Sequence, residues 1–99
     1  MKTIEELQTE EDAAFAAYND AGREYDRVFG AAMIEYGGLS EHEARARAAP
    51  LARTEFERLS YAGRAHAAAY ERRRDAEMAQ RQAILAGQLD DTEMGCETP

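Results

Sequence analysis

Apolar side chains recur every three or four residues in the first third of the chain. The stripe consists of Phe15, Tyr18, Gly22, Tyr25, Phe29, Ala32, Met33 and Tyr36. Side chains at this spacing lie on one face of an α-helix, so the pattern predicts an amphipathic helix over residues 10–36. Gly22 falls on the stripe itself, which indicates that another backbone approaches closely there.

A second stripe of the same period follows in the second half of the chain. Its members are Ala52, Phe56, Leu59, Gly63, His66 and Tyr70. The stripe thins through Arg72-Arg73-Arg74 and resumes at Met78, Ile84 and Leu85. It predicts a long helix over residues 51–86, with residues 73–76 as the place where that helix would break.

Residues that start and stop helices agree with these two elements. Thr3 with Glu6, and Ser40 with Glu43, have the spacing of a capping box. Thr9, followed by three acids, predicts a further helix start just before residue 10. Gly37-Gly38 and Gly87 predict helix ends, and Pro50 predicts the start of a new helix after a short one over residues 41–48.

The predicted fold is therefore all-α, because no segment alternates between apolar and polar residues as a strand does. We expect a small antiparallel helical bundle or hairpin of two long helices plus short helices, with Gly22 and Gly63 allowing close packing. A chain of 99 residues is enough for one domain. We assign residues 1–89 to it and expect residues 90–99 to form an acidic, flexible tail.

Charge is distributed unevenly along the chain, whose net charge is −8. Residues 1–43 contain eleven acidic and three basic side chains, residues 44–89 contain nine arginines and five acids, and residues 90–99 add four acids. In one interpretation the acidic helix pairs with the basic one across their contact. In the other, acids of the first helix bind a basic partner. The candidate partner-binding residues are Glu10, Glu11, Asp12, Asp20, Glu24 and Asp26.

The residue types that catalysis or metal binding requires are sparse. His42 and His66 are the only histidines and lack the spacing of a metal site, and the single cysteine is Cys96. We expect no enzymatic activity, no cofactor and no metal. Net negative charge disfavours direct contact with nucleic acid or with anionic membranes, in spite of the Arg72-Arg73-Arg74 cluster. The acidic opening, with no apolar signal core, favours the cytoplasm.

The acidic opening Thr9-Glu10-Glu11-Asp12-Ala13-Ala14 and the helical Ala/Arg/Glu composition across residues 1–89 resemble the small type I anti-CRISPR proteins of phages and mobile elements. The likeness is to all-helical members that act on a type I-F surveillance complex. That family shares no motif, so the resemblance assigns no individual residue. It implies a stoichiometric inhibitor in the host cytoplasm that presses acidic residues onto a basic channel and blocks target DNA binding, or that wedges between subunits of the complex. We expect a monomer or homodimer. The alternative is a phage structural, assembly or adaptor protein that acts through helix–helix contacts.

Overall fold

The computed structural model of the chain describes residues 1–87, and these residues are helical over most of their length. Helix α1 spans Ile4–Glu35, α2 spans Glu41–Ala48, a 3₁₀ helix spans Ala49–Ala52, and α3 spans Arg53–Leu85. No strand occurs within residues 1–87, so the all-α prediction is confirmed for this part of the chain. The predicted tail over residues 90–99 lies outside the described residues.

Helix α1 begins before the predicted residue 10, because Thr3 forms its N-terminal cap. The Thr3 hydroxyl accepts a hydrogen bond from the Glu6 backbone N–H at 3.0 Å, and the Glu6 carboxylate accepts one from the Thr3 N–H at 2.8 Å. This confirms the capping box. The predicted cap at Thr9 is wrong, since Thr9 lies inside the helix and donates its hydroxyl proton to the Glu5 carbonyl oxygen at 3.0 Å.

The remaining helix boundaries follow the sequence signals closely. Ser40 accepts a hydrogen bond from the Glu43 N–H at 3.2 Å and starts α2 at the predicted residue. Pro50 lies in the first turn of the 3₁₀ helix, which leads into α3. Helix α3 runs unbroken through residues 73–76. It ends before Gly87, whose positive φ of 75° supplies the left-handed conformation that a helix C-terminus favours.

The two long helices form an antiparallel hairpin, not a compact bundle. Contacts along it join early residues of α1 to late residues of α3: Glu11 bonds to Arg73, and the rings of Tyr25 and Phe56 lie 5.9 Å apart. At 1.5 Å per residue each long helix is about 50 Å long, whereas the cross-section of the molecule is 20 × 17 Å. The molecule is therefore an elongated rod, with α2 packed at its closed end.

Side chains of the opposite helix, not its backbone, lie against the glycines of the two stripes, which differs from the predicted close approach of a second backbone at Gly22. A Cβ atom built on Gly63 would lie 3.2 Å from Cε1 of Tyr18, and one built on Gly22 would lie 3.8 Å from Cδ1 of Leu59. The Tyr18 ring also lies parallel to the ring of His66, with 6.1 Å between the ring centres. Glycine at these two positions therefore makes room for bulky neighbours and sets the separation of the helices.

Few large side chains are buried in this hairpin. Within residues 1–87 the buried apolar side chains are Leu7, Ala32, Ala44, Ala48, Ala52 and Ala69. Alanine removes little apolar area from water, so the hydrophobic stabilisation of the isolated hairpin is small. Several aromatic residues of the two stripes remain about half exposed, among them Phe15 and Phe56.

Candidate protein-binding surfaces

The six candidate acids of α1 do not share one surface. At 100° per residue, Glu10, Asp20 and Glu24 lie within a sector of about 80° outside the contact line of α1. We call these three residues the outer acidic side. Glu24 still lies near enough to α3 for Arg58 to contribute to its lowered pKa. Asp12 and Asp26 lie on a different side, and Glu11 points toward α3. The structure therefore divides the predicted set into three groups with different surroundings.

Glu11 belongs to the contact between the long helices. Its carboxylate accepts a hydrogen bond from Nε of Arg73, and Arg73 also donates to Glu77 at 2.9 Å. The Glu11 and Arg73 side chains are only 14 % and 18 % exposed. Hydrogen bonding to Glu11 raises the pKa of Arg73 above its ordinary value, and the Arg73 guanidinium lies over the Tyr70 ring at 5.4 Å. Glu11 is thus held by α3 and is not displayed on the surface of α1.

The seven-residue spacing along α1 identifies Glu11 as a helix-contact residue. Positions Ile4, Glu11, Tyr18, Tyr25 and Ala32 follow one another at this interval. A heptad repeat of this kind marks the line along which two helices meet. The sequence analysis started the apolar stripe at Phe15 and therefore missed the position of Glu11.

The outer acidic side is paired with basic residues close in sequence. Glu10 forms an ion pair with Lys2, Asp20 with Arg23, and Glu24 with Arg27. Arg27 donates to Glu24 through Nε at 3.1 Å and through a terminal nitrogen at 2.6 Å, which lowers the pKa of Glu24. These pairs are exposed, with 70 % exposure for the Asp20 side chain. Exposed pairs contribute about 0–1 kcal/mol each, so a partner can replace them at small cost.

Asp12 and Asp26 are not in an ion pair within residues 1–87. Asp12 accepts a hydrogen bond from the Gln8 side chain at 3.0 Å. Asp26 lies at the rim of an open groove that is also lined by Tyr18, Gly22 and Leu59. Both carboxylates therefore border the side of the hairpin on which aromatic rings are exposed.

The arginines of the second half form few ion pairs with α1 in the described residues, although Arg58 of α3 contributes to the lowered pKa of Glu24. Arg73 is the one arginine of α3 that forms an ion pair with α1 among the described residues. Its neighbours Arg72 and Arg74 are exposed and point in other directions, as expected for consecutive residues on a helix. Of the two interpretations of the charge pattern, pairing across the helices thus applies to Glu11 alone.

The histidines do not form a metal site in this part of the chain. His66 packs between aromatic rings, with its ring centre 5.2 Å from that of Phe15, and His42 is exposed on α2. Within residues 1–87 no three His, Cys, Asp or Glu side chains are grouped so that they could hold a metal ion. Cys96 lies outside the described residues.

Comparison with known proteins adds no relative. The chain matches no protein-family model, no curated protein and no solved structure. None of the helices in residues 1–87 has the length and apolar character that crossing a bilayer requires. The function must therefore be argued from the surfaces of the hairpin.

Proposed function

We propose that the protein acts by binding another protein, without catalysing a reaction, and that its partner presents a basic surface. One observation carries this proposal. Helix α1 contains nine acidic side chains and two arginines within Ile4–Glu35, and Glu11 is the one acid among them that forms an ion pair with α3 in the described residues. A straight helix of about 50 Å thus displays a large excess of negative charge to solvent.

The outer acidic side suits a partner rich in arginine or lysine. Carboxylates form short, charge-assisted hydrogen bonds with guanidinium groups. Attraction between opposite charges speeds encounter and makes it dependent on salt concentration. The local pairs of Asp20 with Arg23 and of Glu24 with Arg27 hold the carboxylates in place until a partner exchanges with them.

Proteins that handle nucleic acids carry basic surfaces of this kind, because they neutralise phosphates with Lys and Arg. The resemblance to type I anti-CRISPR proteins supplies a specific candidate, a type I surveillance complex in the host cytoplasm. In this proposal the outer acidic side occupies the basic channel that would otherwise receive target DNA. The protein is then an anti-defence inhibitor, and it needs no cofactor.

Binding to a purified type I-F surveillance complex, measured by biolayer interferometry together with target-DNA binding, tests the proposal. The double variant Asp20→Lys and Glu24→Lys should weaken binding at least tenfold and release the block on DNA. The matched control, Glu71→Lys with Asp75→Lys, makes the same change in net charge on exposed residues of α3 and should bind like the unmodified protein.

Two results would contradict the proposal in different ways. If both double variants bind equally well, the outer acidic side is not the interface. If the unmodified protein does not bind the complex at all, the anti-CRISPR assignment fails, whichever surface is used.

A second candidate function is favoured by the exposed aromatic residues. Phe15 is 50 % exposed and Phe56 is 55 % exposed, which is unusual for large apolar side chains on a helix contact stripe. A phage structural, assembly or adaptor protein that acts through helix–helix contacts would use such residues. Substitution of Phe56 by Ser would then abolish partner binding, whereas the acidic double variant would leave it intact.

A further inference from the structure

The apolar stripes are wider than a two-helix hairpin can bury. Next to the contact line, α1 carries a second column at seven-residue intervals, and so does α3. The column on α1 is Gln8, Phe15, Gly22, Phe29 and Tyr36, and the column on α3 is Phe56, Gly63, Tyr70, Glu77 and Ile84. A two-helix coiled coil buries two columns per helix, whereas a helix of a larger bundle buries three.

These two columns lie side by side on one side of the hairpin, which we call the aromatic face. In antiparallel right-handed helices, the residue four positions after each contact-line residue lies on the same side of the pair. The contacts agree, because the Phe15 ring meets His66, the Tyr18 ring meets Gly63, and Gly22 meets Leu59. Three of its large side chains are well exposed, Phe15 50 %, Phe56 55 % and Tyr70 43 %. Phe29 is partly covered, because the Arg45 guanidinium of α2 lies over its ring at 5.9 Å.

The edges of the aromatic face carry opposite charges. The edge formed by α1 consists of Glu5, Asp12, Asn19, Asp26 and Met33, again at seven-residue intervals. The edge formed by α3 consists of Arg53, Ser60, Ala67, Arg74 and Arg81. Three acids thus line one edge and three arginines line the other. Within residues 1–87 no ion pair joins the two edges, which lie on opposite sides of the face, and Arg53 pairs with Glu57 of its own helix.

We propose that a second copy of this chain covers the aromatic face, giving a four-helix bundle. The two copies are related by a twofold axis parallel to the helices, so that α1 of each copy packs on α3 of the other. This arrangement brings each acidic edge against a basic edge at matching heights, with Asp12 beside Arg74 and Glu5 beside Arg81 of the other copy. A twofold axis across the helices would instead set acid against acid, and it is disfavoured for that reason.

The size of the aromatic face fits a dimer interface. Residues 8–36 of α1 span about 42 Å at 1.5 Å per residue, and the hairpin is 20 Å wide in cross-section. These dimensions are of the order of the roughly 800 Å² that one partner contributes to a stable interface, and α2 covers the part of the face at Phe29.

The proposal also accounts for the small core. With Leu7 and five alanines as its buried apolar residues in the described part of the chain, the single hairpin gains little from apolar burial. A dimer buries the half-exposed rings in addition, so that folding and association stabilise each other. This inference does not depend on the proposed function, which uses a different side of α1.

Sedimentation equilibrium of the full chain, at concentrations from about 1 to 100 μM, tests the dimer. The expected mass is twice 11.0 kDa. Asp12→Arg should raise the dissociation constant about tenfold, because symmetry places each Asp12–Arg74 contact twice in the interface. Arg74→Glu should do the same, and the double variant should restore the affinity of the unmodified chain. Asp20→Arg, the same change in charge away from the face, should leave association unchanged.

The double variant separates association from folding. Asp12 and Arg74 lie on opposite edges of one hairpin, so restoration of affinity requires contact between two copies. A monomer at all concentrations would overturn the proposal, as would a dimer that both single variants leave intact. Recruitment of a different protein to the face of a monomeric chain would also overturn it.

Discussion

Gly63 offers a sharp test of how closely the two long helices pack. Replacing glycine by alanine in a helix interior stabilises a protein by about 0.5–1 kcal/mol when the new methyl group meets nothing. At Gly63 the new Cβ would lie 3.2 Å from Cε1 and 3.6 Å from Cδ1 of Tyr18. Overfilling a packed site costs about 1–3 kcal/mol. We therefore expect Gly63→Ala to lower the free energy of unfolding, by up to about 2 kcal/mol.

Two other glycines of the long helices provide matched controls. A Cβ built on Gly30 meets no atom within 4 Å, and one built on Gly22 lies at an ordinary contact distance of 3.8 Å from Leu59. Alanine at either position should raise the free energy of unfolding by about 0.5–1 kcal/mol. For a chain of this length, 1 kcal/mol corresponds to about 4–8 °C in Tm, which circular dichroism at 222 nm resolves easily.

A double-variant cycle tests whether the Tyr18 ring causes the expected decrease in the free energy of unfolding. The Tyr18 ring lies parallel to the His66 ring, with an angle of 4° between the ring planes, and Tyr18 is partly exposed. When Tyr18 is replaced by Ala, the obstacle is removed and Gly63→Ala should become stabilising. The reasoning is refuted if Gly63→Ala raises Tm as much as Gly30→Ala does in the unmodified chain, because the Tyr18 ring would then not occupy the place opposite Gly63.

Three further predictions follow from the caps and ion pairs. Thr3→Ala removes the hydroxyl that caps α1 and should cost about 1 kcal/mol of stability in chemical denaturation. Because the pKa of Glu24 is lowered in the folded chain, its carboxylate contributes stability above its unfolded pKa of about 4.5 and loses it as the pH falls. Glu24→Gln should therefore lower Tm slightly at pH 7, and the difference from the unmodified chain should shrink as the pH falls below the unfolded pKa. Glu11→Gln weakens the bond to Arg73 across the helix contact and should lower Tm, whereas Glu10→Gln, at an exposed pair, should leave Tm nearly unchanged.

The helices and most of their ends could be predicted because the signals for them are local. The capping box at Thr3, Pro50 and Gly87 act through the backbone of their own turn, and each appears in the structure where the sequence indicated. Of the second predicted box only the bond from the Glu43 N–H to the Ser40 hydroxyl forms. The predicted cap at Thr9 was wrong because a residue suited to capping is also tolerated inside a helix. There its hydroxyl donates a hydrogen bond to the carbonyl oxygen of the preceding turn. The earlier cap at Thr3 already started the helix.

The arrangement of the charged residues was harder to predict because it depends on the register between two helices. Glu11 looks like a surface residue within Thr9–Asp12, and its burial follows only when Arg73 is placed opposite it. The same register decides which side of α1 each aspartate borders. Periodicity indicates that a helix has an apolar face. How much of that face the other helix covers is known only when the second helix is in position.

The two proposals predict a definite relationship between association and partner binding. In the twofold bundle the outer acidic sides of the two α1 helices lie at diagonal corners and face away from each other, because Glu10, Asp20 and Glu24 point away from the aromatic face. One dimer then presents two equivalent acidic surfaces that cannot both enter a single basic channel. At concentrations below its raised dissociation constant, the Asp12→Arg variant should therefore be monomeric and still bind a surveillance complex with unchanged affinity per site. At the same concentration the unmodified dimer should link two complexes into a larger particle in light scattering. If the monomeric variant loses partner binding together with association, the acidic surface requires both copies, and the two sides of α1 are not independent.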